Sequence, residues 1–199
     1  AWAACNPLAP SGEASNSGAD ADAGASSVFP NVESASYRAE GSITNPQTGE
    51  ATPIVMIRDG QKVRMEMTSA RGEVTVINNP DTGDIYSIVN AGGRLMAIRA
   101  EADAFPNPAA EWADAGAGAT FNGPCTGAGQ AGAEWARQTD GHADTVCVTH
   151  DGIILKATRD GVTTWDTAMV ERGAQSADLF VLPEGVQVMD LGNLSGQGR

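Results

Sequence analysis

Basic residues are few. Lysine and arginine total 12 against 25 aspartates and glutamates, a formal charge of −13, so no nucleic-acid partner is expected, because such binding needs clustered cations. Histidine is scarcer still, with only His142 and His150. Neither stands beside the closely spaced cysteine pair that zinc sites use, so no metal and no cofactor is expected. No apolar run approaches the roughly 20 residues that a membrane-spanning helix needs. Attachment to a membrane then has to come from a lipid or from a partner.

The three cysteines divide into one and two. Cys5 stands alone behind Trp2-Ala3-Ala4 and ahead of a run of Ala, Gly, Ser, Asp, Asn and Pro. Small residues before a cysteine and a polar tether after it resemble the processed end of a bacterial lipoprotein, with Cys5 as the lipid-attachment residue. The competing reading is an incidental cysteine. If Cys5 is acylated, Asn6 in the following position, where Asp would retain a lipoprotein at the inner membrane, favours the outer membrane. Cys125 and Cys147 lie inside the patterned part of the chain. In an exported protein they are expected to form a disulfide, which at this loop length contributes roughly 3 kcal/mol in the chain-entropy model. Two buried free thiols are the alternative.

Composition divides the chain into a disordered tether over residues 1–33, one β-rich domain over 34–191 and a frayed tail over 192–199. Tyr37, Ala39 and Gly41 alternate with Arg38, Glu40 and Ser42, the period of a half-buried strand. Short β-rich runs follow at residues 52–58, 62–68, 73–77, 84–89 and 94–99, separated by turns such as Asp59-Gly60. In Lys62–Met67 the alternation places Val63, Met65 and Met67 on one side and three charges on the other. A short helix is predicted over residues 107–113, with Asn107 as N-cap and Pro108 in the first helical position. Glycines from Gly116 to Gly132 read as a floppy connection. Strands resume at residues 133–138, 145–150, 153–159 and 162–171, and residues 177–185 and 186–190 read as a short turn and an edge strand. Strands on both sides of a helical excursion predict an α+β fold: one large curved antiparallel sheet, an incomplete barrel, wrapped around one or more short helices.

Catalytic constellations find little support. His150 and Asp151 are adjacent, and adjacent strand residues point to opposite faces; no Gly-x-Ser-x-Gly elbow occurs. The glycines between Gly127 and Gly132 lack the strand-helix setting of a dinucleotide site. No enzyme activity is expected. Methionine is the feature with a binding meaning, since flexible thioethers suit an apolar cavity. Met56, Val63, Met65, Met67, Met96 and Trp112 are the candidate residues for an apolar ligand, against the plainer reading that they fill a core.

Two segments carry a resemblance, Cys147–Leu155 and Asp178–Val186, the latter holding a closing Phe-x-x-Pro-x-Gly element at Phe180, Pro183 and Gly185. They resemble a family of uncharacterised bacterial exported lipoproteins with a lipoprotein-carrier-like (LolA/LolB-like) fold. The resemblance implies an incomplete barrel around a helical plug, with a concavity that in carriers receives acyl chains, and it implies no catalytic residues. The expected function is that of a lipid-anchored protein on the periplasmic face of the envelope whose domain binds a lipid or another apolar ligand. The alternatives are an interaction module with a filled core and a protein partner, and a small hydrolase.

Overall fold

The computed structural model describes residues 28–69, 72–91, 93–101, 105–115 and 118–189. Cys5, most of the N-terminal stretch and the tail 192–199 lie outside them. Twelve strands form one sheet: β1 (Ser36–Thr44), β2 (Ala51–Asp59), β3 (Lys62–Ser69), β4 (Gly72–Asn79), β5 (Asp84–Ala91), β6 (Arg94–Arg99), β7 (Thr120–Gly127), β8 (Gln130–Thr139), β9 (His142–Val148), β10 (Ile154–Arg159), β11 (Val162–Arg172) and β12 (Gln187–Met189). Their spatial order is β12-β6-β5-β4-β3-β2-β1-β11-β10-β9-β8-β7. Two antiparallel meanders, β1–β6 and β7–β11, therefore meet where β1 pairs with β11. β12 adds to the edge in parallel with β6.

This architecture corrects the α+β expectation. The sheet is open, the protein is nearly all β, and its one α-helix among the described residues, α1 (Pro108–Trp112), has five residues. Asn107 caps α1 by accepting a hydrogen bond from the Ala110 amide at 3.3 Å, as its position predicts, but a helix this short is a lid segment and forms no layer. The other half of the error lies in the glycines. Residues 120–132, read as floppy, form β7 and the first part of β8, joined by the tight turn Ala128-Gly129.

Glycine is there for room. Cys125 on β7 is bonded to Cys147 on β9, with Cα atoms 6.0 Å apart, so the disulfide crosses over the intervening strand β8. Beneath it, a Cβ at Gly132 would stand 2.6 Å from the Val148 carbonyl oxygen and 3.3 Å from the Cys125 sulfur. Gly152 makes a similar allowance at the β9–β10 turn, where a Cβ would meet the Asn31 carbonyl at 2.0 Å. That contact brings residues 28–33 against the sheet, and Phe29 stacks on Trp112 with ring centroids 5.8 Å apart while Val32 is 1% exposed.

Side chains alternate along each strand, so register assigns every residue to a face. The front face carries the larger core, with Tyr37, Met56, Met65, Trp135, Val146 and Trp165 packed under α1 and residues 28–35. The back face carries a smaller one, in which Phe180 closes over Ile57, Ile77, Tyr86, Ile88 and Ala97. Phe180 arrives on a single 3-10 turn (Ala177–Phe180) that is held down by backbone contacts: Asn79 Nδ2 donates to the Phe180 carbonyl at 3.2 Å and Arg64 donates to that of Leu179 at 3.2 Å.

Two outcomes are expected. Gly132→Ala forces strand β8 off its partner and lowers stability by about 1–3 kcal/mol in urea titration. The second concerns Asp151, which accepts from Arg172 at 2.6 and 3.0 Å and so joins the β9–β10 turn to the end of β11. Arg172, with help from the Thr149 hydroxyl, lowers its carboxyl from 3.8 to about 2. A depressed folded-state pKa contributes stability above about pH 4, which is lost as pH falls through 2. The pair is partly solvated, so the contribution is under about 1 kcal/mol, and Asp151→Asn should remove that pH dependence from the melting temperature.

Candidate functional site

The front face is covered on one side and bare on the other. Cross-strand register runs Ile54, Met67, Val74, Val89, Met96 in one row and Met56, Met65, Val76, Ser87, Ile98, Met189 in the next. Five of the six methionines of the chain thus share this face. Met56, Val63 and Met65 are 1–3% exposed and belong to the closed core. Toward β6 the cover ends. Val89, Met96, Ile98 and Met189 are only half-buried and join neither core, whereas Ile88 and Ala97, their neighbours on the opposite face, are buried under Phe180. Along this strip of β4–β6 the front-facing side chains are apolar apart from Asn78, Ser87 and, at the start of β6, Arg94.

The six residues singled out as apolar-ligand contacts therefore separate. Met56, Val63, Met65 and Trp112 are buried in packing, Met67 sits at the boundary, and Met96 stands on the bare strip. Period-two alternation brought the strand residues to one face. How far α1 and residues 28–35 reach across that face has no counterpart in local sequence, and so nothing in the sequence singles out Val89, Ile98 and Met189.

A cleft of about 460 Å³ lies at the other end of the front face, between the β1–β2 hairpin, α1 and strands β10–β11. Trp112 lines it, as do Ile43, Pro46, Pro106 and Trp165. At its polar end Arg137, Asp144 and Arg159 form a cross-strand row. Asp144 is 3% exposed and accepts from Arg159 at 2.9 and 3.2 Å, which raises the pKa of that guanidinium further. Arg137 Nε lies 3.8 Å from Asp144, and its guanidinium covers the Trp112 ring 4.1 Å from the centroid. The row fixes where α1 sits. Arg58, wholly buried, fixes its start by donating to Asn107 Oδ1 at 3.1 Å and to the Gly60 carbonyl at 3.2 Å. Burial pushes the neighbouring Tyr37 phenol up, and Arg58 beside it opposes that shift. A second concavity, about 420 Å³, runs over β1–β4 and is lined by Glu40, Val55, Arg64, Glu66, Met67 and Glu73.

His142 lies at the β8–β9 turn with Nδ1 2.7 Å from Asp160 Oδ2, and His150 is exposed. Among the described residues neither ring bonds a hydroxyl, and no group of three His, Cys, Asp or Glu side chains is placed to hold a metal ion. No described helix is long and apolar enough to cross a membrane. Asp144→Ala strands two guanidinium groups and should cost about 2–4 kcal/mol, read as a lowered midpoint in chemical denaturation. Trp112 fluorescence should shift with it.

No family model matches the sequence, and no curated protein matches it. Solved structures share the fold. An uncharacterized conserved protein from Thermus thermophilus aligns with TM-score 0.54 at 12% identity, covering 80% of this chain and 92% of that one. MucB aligns at 0.51 and 15%, over 79% of this chain and 61% of its own, and a chain of the Pseudomonas aeruginosa MucA/MucB complex at 0.51 and 14%, over 80% and 59%. This chain thus spans about three-fifths of MucB. At such identities the likeness shows the fold alone, a lipoprotein-carrier-like one; the incomplete barrel around a helical plug that the sequence resemblance implied is replaced by an open sheet.

Proposed function

We propose that this protein is a non-catalytic binding module of the bacterial envelope, held by an acyl chain on Cys5 at the periplasmic face, with Asn6 favouring the outer membrane. Its ligand is an acyl chain or a similar apolar group, and the binding surface is the bare part of the front face. The observation that carries this reading is the apolar strip of Val89, Met96, Ile98 and Met189, left half-buried where Ile88 and Ala97, on the back of the same strands, are buried under Phe180, and Leu95 and Val188 stand exposed at the outer edge of that back face. An exposed apolar strip is a liability in a water-soluble domain unless something occupies it. Methionine at Met67, Met96 and Met189 suits an occupant of irregular shape.

The buried methionines argue for a surface site in place of a deep chamber. Met56 and Met65 touch other core side chains, so an acyl chain lies along β5 and β6 and does not enter beneath α1. A second reading has the apolar face of a protein partner on the same strip. It is favoured by the fold shared with MucB, whose structure is known in complex with MucA.

Native mass spectrometry of protein extracted from its own envelope tests the proposal. The expected spectrum carries diacylglyceryl mass at Cys5 and a second, non-covalent acyl lipid that is lost in Met96→Asp. That substitution lies on an open surface and should change stability by less than about 1 kcal/mol, whereas Met65→Ala, in the closed core, should cost about 2–5 kcal/mol and leave the bound lipid in place. Wild-type protein with an empty domain overturns the lipid reading. Release of the lipid by Met65→Ala but not by Met96→Asp would put the site in the wrong place.

A further inference from the structure

We infer that the cleft beside Trp112 is a saccharide-binding site, independent of the apolar strip. Its volume, about 460 Å³, lies within the range of small-molecule sites. Its chemistry excludes the other ligand classes in turn.

Charge in the cleft is already paired. Asp144 and Arg159, two of the three charged side chains lining it, are bonded to each other through two hydrogen bonds. An anion therefore finds no free guanidinium, and a cation finds only Glu111. Hydrogen-bonding capacity, by contrast, is left over. Among the described residues the side chains of Thr44, Gln47 and Thr52 make no hydrogen bond within the protein, and Asn45, whose Oδ1 accepts from the amides of Gln47 and Thr48, keeps its NH₂ group. Covering these groups with an acyl chain leaves polar atoms desolvated without partners, which is unfavourable.

An extended peptide is disfavoured by the walls. The cleft is bordered by β1, β2, β10 and β11, all interior strands whose backbone groups are committed to neighbours, so no edge is available for strand addition. What the cleft does offer is hydroxyl and amide side chains set among Ile43, Pro46, Pro106 and the edges of two indoles. A sugar matches that mixture, since its ring presents C–H faces to apolar walls and a girdle of hydroxyls to uncharged donors and acceptors. Selectivity for hydroxylated ligands follows, because a site with unpaired polar groups rejects a ligand that cannot satisfy them.

The test is a ¹H–¹⁵N titration of the full chain with cellobiose, maltose and N,N′-diacetylchitobiose, with acetyl-triproline-amide as the peptide control. Expected are saturable shifts from at least one disaccharide in the amides of residues 44–52, 111 and 158–164, with affinity about tenfold weaker in the double variant Gln47→Ala/Thr52→Val. Thermal melting of that variant verifies that it remains folded. Absence of saturable shifts with all three sugars overturns the inference. So do shifts that the double variant leaves unchanged, and so does a response to the peptide alone.

Discussion

A sheet of twelve strands has two faces to hide, and this chain carries few segments with which to hide them. Among the described residues the cover consists of one five-residue helix, one 3-10 turn and the run leading into β1. Apolar burial at about 25 cal/mol per Å² is the main favourable term in folding, so each short segment lies where it closes most surface. The helix and residues 28–35 go to the front face around the seam between the meanders, and Phe180 goes to the back of β2–β6. The two cores are consequently offset and on opposite faces. The bare strip on β5 and β6 is the area that remains once both covers are placed.

Anchoring small covers takes polar contacts as well as apolar ones. Arg58 is buried with its charge in order to hold the N-cap of the helix, and the Arg137–Asp144–Arg159 row holds Trp112 from the other side. A longer helix would need neither, since it would bury more area and satisfy more of its own backbone groups. The cleft follows from the same shortage: a five-residue helix stops short of the β1–β2 hairpin and leaves a gap between them.

Much of the fold was legible in the chain. Hairpin turns such as Asp59-Gly60 marked the strands of both meanders, and the pair Asn107-Pro108 marked the helix start. The misreadings have one physical origin, which is that distant contacts reassign what local composition suggests. Gly127 and Gly132 read as flexibility and serve as clearance, the first for Leu155 and the second for Val148 beneath the disulfide. Phe29 and Val32 sat in a stretch of tether-like composition and pack into the core. For the site, alternation placed the methionines on one face, as the structure has them, but which of them are covered depends on a helix that packs on strands far away in sequence. The cleft had no sequence signal at all, because its lining comes from four separate stretches of the chain.

The meeting of β1 with β11 has a consequence for how the chain is made. Tyr37 pairs with Arg172, so β1, which is synthesised well before β11, has only one of its two neighbours until nearly the whole sheet has been made. The first meander can assemble early, since its pairings are local, but β1 stays an open edge for that interval. Non-local pairing of this kind slows folding, and an unpaired edge invites association with other chains. That interval is a reason for the chain to be kept from associating until the sheet can close as a whole.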